Sequence, residues 1–217
     1  MRSTDPVAAR TQVIRHWPSE EAREWTERFL EKTCNDPEVL AVVAFGSAVR
    51  RVSYSADLDL LYIYRSEDPR VDSPPLDIDV RGYDQAGVEE RIEAGHDLLC
   101  WTLRYGRVIC EREGFWTDLQ SRWLRRLPMP SAERAEERAA RSRKLYEDLH
   151  AAGDADAAAE QWLSWLTHQA RAALIRAGVF PASRPELPEQ LRAVGEISLA
   201  EALDAALTAR QSGSPVG

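Results

Sequence analysis

The chain has 217 residues, 44% of them hydrophobic, and a formal net charge of −8. That length and apolar fraction suit one large domain or two modest ones with an ordinary core, and disorder is not the default expectation. The acidic balance argues against a broad grip on DNA or RNA, which needs clustered Lys and Arg facing phosphate, and makes an extended nucleic-acid partner unexpected. No stretch is apolar over the length of a bilayer span, and residues 1–18 lack the apolar core of a secretory signal, so a cytoplasmic protein without membrane association is expected. The three cysteines, Cys34, Cys100 and Cys110, have no Cys-x-x-Cys spacing and are expected as buried free thiols.

In chain order, Ser19 is a helix cap, followed by acids and by bulky residues at Ala22, Trp25, Phe29 and Leu30 near helical period, through about Asn35. Val39 to Phe45 is short and β-branched and stops at Gly46-Ser47, which predicts a buried strand ending in a turn. Ten residues after Ser47, the run Asp57-Leu58-Asp59-Leu60-Leu61 predicts a second strand with both aspartates on one face. Pro74-Pro75-Leu76-Asp77-Ile78-Asp79-Val80 repeats the pattern, with Asp77 and Asp79 on one face and Leu76, Ile78 and Val80 on the other. Asp84 caps a helix that Gly95 ends, a further helix carries Leu98, Leu99 and Leu103, and Gly106 precedes a short strand, Val108-Ile109-Cys110.

Two prolines in Leu127-Pro128-Met129-Pro130-Ser131 mark a boundary, giving domains over 1–127 and 128–217. Beyond it the pattern is helical. A charged helix starts at Ser131 and closes at Gly153; the next starts at Asp154 or Asp156 and carries Trp162, Trp165, Leu166, Ala170 and Leu174, read as core. Shorter helices follow over 188–194 and 198–209, then a frayed tail over 211–217.

Two carboxylates on one strand face repel, and a cation between them, or one retained proton, relieves the repulsion. Oxygen ligands without a convergent His or Cys set favour a hard ion such as Mg²⁺, whose shell is completed by substrate phosphates and water. Gly46 lets backbone approach a ligand closely, the Ser47 hydroxyl and neighbouring amides can hold phosphate oxygens, and Arg50 and Arg51 follow as candidates to neutralise phosphate charge.

Gly46-Ser47, then Asp57-Leu58-Asp59, then a later acid at Asp79 or Asp77, resembles the signature of the nucleotidyltransferase superfamily that includes DNA polymerase β. The wording Ser55-Ala56-Asp57-Leu58-Asp59-Leu60-Leu61 is similar to its small bacterial members, the minimal and the antibiotic nucleotidyltransferases. The resemblance covers the first domain. It implies an α/β (α+β) fold with a mixed sheet and flanking helices, here followed by an all-helical C-terminal domain that shapes the acceptor side or mediates homodimerisation. It implies transfer of a nucleoside monophosphate, expected to be AMP from ATP, to an acceptor hydroxyl on a small molecule or partner protein. Asp57, Asp59 and Asp79 would hold two Mg²⁺ ions, with Asp77 the alternative third acid, and Gly46, Ser47 and Arg50 would hold the triphosphate. A general base could come from Glu147, Asp148 or Glu160. The alternative is a catalytically silent nucleotide- or partner-binding module of the same fold.

Overall fold

The computed structural model describes residues 10–50 and 57–212. Arg51, the approach to Asp57 and the tail from 213 lie outside them. The chain divides into two compact units, residues 1–128 and 129–217.

The first unit is a four-stranded mixed sheet with helices. Helix α1, Glu20–Asn35, starts where the Ser19 hydroxyl accepts the Ala22 N–H at 3.0 Å, with Glu20 and Glu21 favourably placed in its first turn. Its buried face, Ala22, Trp25, Phe29 and Leu30, lies on one side of the sheet. Strand β1, Val39–Phe45, is buried along its whole length, as its unbroken apolar run requires. β2 is Leu58–Tyr64, β3 is Ile78–Asp84 and β4 is Arg107–Glu111; the spatial order is β3-β2-β1-β4, with β2 parallel to β3 and the other pairs antiparallel. Val42, Ala44, Leu58, Leu60 and Tyr62 face α1, and Phe29 meets the Tyr62 ring edge-on at 6.1 Å.

The opposite face, which carries Val43, Phe45 and Asp59, receives the remaining helices. Asp84 caps α2, Gln85–Glu93, by accepting the Gly87 N–H at 2.9 Å, and α3 follows as Asp97–Tyr105. At Gly106 a Cβ would stand 2.8 Å from Val43 Cγ1, so the chain leaves α3 pressed against β1. Helix α4, Phe115–Trp123, was not anticipated, although Trp116, Leu119 and Trp123 bury one face at helical spacing.

Three expectations are corrected. Cys34, in the last turn of α1, and Cys110, on β4, form a disulfide across 76 residues, and only Cys100 is a free thiol, buried. Their separation in sequence gives no pairing signal; the packing of α1 beside β4 brings them together. β3 begins at Ile78, so Leu76 and Asp77 lie in the preceding turn and Leu76 is fully exposed, not an inward strand residue. The last helix reaches Ser212, beyond the 209 expected.

The second unit is helical: α5 is Ala132–Ala151, α6 Ala155–Arg176, α7 Leu187–Ala193 and α8 Ile197–Ser212. Ser131 caps α5 through the Arg134 N–H and Asp154 caps α6 through the Ala157 N–H. Leu163, Leu166, Ala170 and Leu174 of α6 form the core with Leu187, Leu191, Ala200 and Leu203. Trp162 and Trp165 are half-buried and meet edge-on at 4.6 Å; Trp162 packs against this core from outside, and neither fills it. Among the described residues no helix is long and apolar enough to cross a membrane.

Candidate active site

The antiparallel register sets Asp59 of β2 opposite Phe45, the last residue of β1, and the parallel register sets it opposite Asp79 of β3. Aspartates from two strands therefore share one rim with the bend that ends β1. At that bend Gly46 takes φ +78°, and Ser47–Val49 form a 3₁₀ turn. A Cβ at Gly46 would lie 2.1 Å from Asp59 Oδ2. Glycine is required here for two reasons, the left-handed backbone and the carboxylate packed against it.

The Asp59 carboxyl is pushed up to about 7, first by burial, then by the Asp79 and Asp57 carboxylates, with Arg81 acting in the opposite direction. Near neutral pH it is poised between the neutral acid and the anion. Asp57 is exposed, immediately before β2. Asp79 accepts from the Arg81 guanidinium at 2.9 Å, in a pair that is half exposed on both sides. Asp77 stands elsewhere: its carboxylate accepts the Ser19 hydroxyl at 2.6 Å, tying the turn before β3 to the start of α1.

Arg50 closes the 3₁₀ turn and lies over the Tyr105 ring, 4.6 Å from its centroid. The Arg104 guanidinium stands 5.7 Å from the same ring, the Trp101 ring lies tilted beside Tyr105 at 5.1 Å, and Phe45 meets Trp101 edge-on at 6.2 Å. An aromatic strip thus runs along α3 from the end of β1 to Arg50. The sequence reading missed Trp101 and Tyr105 as site neighbours; their four-residue spacing on a helix places them on one face and was the available signal.

Among the described residues, no group of three or more His, Cys, Asp or Glu side chains is arranged ready to enclose a metal ion. The rim brings Asp57 and Asp79 within electrostatic reach of Asp59, while Arg81 holds Asp79 and Ser19 holds Asp77. Of the acids named in the helical unit, Glu147 pairs with Arg143 at 2.9 Å and Glu160 with Arg210 at 3.0 Å.

No family model matches the chain, and no curated protein matches it. Among solved structures it is similar to a nucleotidyltransferase-like protein from Exiguobacterium sibiricum 255-15, with 18% identity over 88% of this chain and 76% of that one and a TM-score of 0.35. An overlap that loose carries no residue correspondence, and what the rim does is argued from its own chemistry.

Proposed function

We propose that this rim is the active site of a magnesium-dependent nucleotidyltransferase that moves a nucleoside monophosphate, AMP from ATP, to an acceptor hydroxyl. The observation that carries the reading is the packing of the Asp59 carboxylate against Gly46, with Asp79 beside it in register. Like charges drawn to one edge fit a cation, because each raises the cost of ionising the next and a divalent ion removes that cost. Asp57, Asp59 and Asp79 are the residues that would hold two Mg²⁺ ions, which when bound neutralise the triphosphate and clamp the entering and leaving oxygens.

The chain's own groups do the rest. Gly46 lets a phosphate approach the backbone, Ser47 and its amide hold phosphate oxygens, and Arg50, kept in place by Tyr105, offsets charge on the tail. Arg81 must release Asp79, whose carboxylate then takes the proton of the acceptor hydroxyl as that oxygen bonds the α-phosphorus and pyrophosphate leaves. The acceptor is a small molecule of antibiotic type or a partner protein, and the acidic chain favours a cationic one. The helical unit is assigned the acceptor side or dimer formation. A cytoplasmic location would require the Cys34–Cys110 bond to be shielded from cellular reductants.

The test is transfer of label from α-labelled ATP with Mg²⁺, offered aminoglycosides and co-encoded protein partners in turn. Asp57→Ala and Asp59→Ala should each lower transfer by at least about a hundredfold. Transfer that survives both changes would falsify the assignment. A second reading, a silent binding module, draws on the closed Asp79–Arg81 pair. Calorimetry separates the two: a silent module binds triphosphate and releases no pyrophosphate.

A further inference from the structure

Between the sheet and helices α2 and α4 of the first unit lies a cleft of about 480 Å³, within the size range of small-molecule sites. Its apolar surface comes from Leu40 near the start of β1, Ala86 in the first turn of α2 and the half-buried Phe115 that opens α4. Two ion pairs also line it. Arg65, just past β2, meets Glu113 at 2.7 Å, and Arg122 of α4 meets Glu89 of α2 at 2.5 Å. Glu113 stands in the turn between β4 and α4 with a left-handed backbone, φ +55°, which a non-glycine residue keeps only where its surroundings enforce it. Glu89 is engaged through both oxygens, since the Trp123 indole N–H donates to the second at 3.3 Å. Arg122 is engaged twice, its Nε donating to the Asp118 backbone carbonyl at 3.4 Å. Asp118 and Gln85, in the first turns of α4 and α2, complete the lining. Among the described residues the Asp118 carboxylate and the Gln85 carboxamide enter no hydrogen bond or ion pair; Asp118 accepts from Ser121 and Arg122 only through its backbone carbonyl.

We propose that this cleft binds a small organic ammonium ion with an apolar body. The ammonium bonds the Asp118 carboxylate and the Gln85 carbonyl oxygen, the body lies on Leu40 and Ala86, and the Phe115 ring adds a cation–π contact. Each arginine is held by a glutamate, so the Asp118 charge is left to the ligand. An anion is disfavoured, because an arginine could turn to it only by leaving a glutamate without its partner. A first-turn acid suits α4 in any case, which accounts for the charge of Asp118 and not for the apolar surface beside it. The cleft is separate from the sheet rim: Leu40 lies about 17 Å of extended strand from Phe45, at the other end of β1. The inference does not rest on the nucleotidyltransferase reading.

The experiment is a nuclear magnetic resonance titration of the full, isotope-labelled chain with phenethylamine, in EDTA and without nucleotide, with phenethyl alcohol and hydrocinnamic acid as neutral and anionic controls. Metal and transfer play no part in it, so failure here and failure of the nucleotidyltransferase reading are distinct. Saturable shifts of the Gln85, Ala86 and Phe115 amide resonances are expected with phenethylamine, at an affinity at least about tenfold above either control. Asp118→Asn keeps the shape and removes the charge, and should weaken binding at least about tenfold while the rest of the spectrum stays in place. Phe115→Leu should weaken it about threefold. A further arm with acetyl-lysine methylamide reads the other source of an ammonium group, the side chain of a protein. No saturable shift at the cleft, equal binding of the alcohol, binding unchanged in Asp118→Asn, or tighter binding of the lysine derivative than of phenethylamine would overturn the proposal.

Discussion

In the first unit like charges meet at the rim of a sheet, and in the second they meet on the flank of a helical hairpin. The rim gathers carboxylates: Asp59 faces Asp79 across a parallel pair, feels Asp57, and packs on Gly46. On the flank the His168 imidazole, half-buried, feels the charges of Arg171, Arg138, Arg184 and Arg141. The two are assembled differently. The rim depends on backbone register between strands far apart in sequence, so a one-residue slip would turn its aspartates to the other face. The flank depends on three-residue spacing along two helices joined by a short connection, and a local change there leaves the rest of the cluster in place. Structural placement of like charge is thus brittle in the first unit and tolerant in the second.

The largest effect should come from opening the disulfide. Cys34→Ser closes no loop in the unfolded chain, and for a bond spanning 76 residues the chain-entropy model gives a loss of about 4.5 kcal/mol at most. Amide hydrogen exchange read unit by unit should show that loss over residues 10–128 and leave the helical unit unmoved; equal loss in both would make them one cooperative block and end the contrast. Gly46→Ala comes next. The φ of +78° and the collision with Asp59 Oδ2 should cost about 1–3 kcal/mol and displace the carboxylate, which denaturant titration and metal binding would both register.

The sharpest comparison is in pH, with the chain free of metal. Asp59 has its folded pKa raised from 3.8 to about 7, so between those values the folded state binds more protons, and the first unit gains stability as pH falls. His168 is lowered from 6.5 to about 4, so in that window the unfolded state binds more protons, and the second unit loses stability as pH falls. Each slope is at most about 1.4 kcal/mol per pH unit. Asp59→Asn should flatten the first and His168→Gln the second; slopes of the same sign before substitution would contradict the assignment of either group. The smallest effect is Ser131→Ala, which removes the cap of α5 and should cost about 1 kcal/mol, confined to the helical unit.

Local chemistry was what the sequence disclosed. Ser19, Asp84, Ser131 and Asp154 cap the helices expected of them, because a capping side chain answers backbone groups two or three residues away. The mixed α/β sheet with a helical C-terminal part also follows from elements read one by one. What depended on distant partners did not appear. The Cys34–Cys110 bond and the Ser19 bond to Asp77 each join segments distant in sequence by packing that no spacing encodes, whereas Asp79 and Arg81, two apart on one face of β3, form a pair whose spacing was the available signal. Asp77 and Asp79 share strand parity, yet the turn before β3 sends one to the helix cap and leaves the other beside Asp59. Trp162 and Trp165 followed the helical stripe of a core, but α6 spends its deepest face on smaller Leu and Ala side chains.

The Cys34–Cys110 bond also makes a ring of the chain, and Gly46, Ser47, Asp57, Asp59 and Asp79 all lie on that ring. A peptide cut anywhere along its circumference would leave both halves tethered, so the reactive edge could outlive backbone cleavage until a reductant opened the tether.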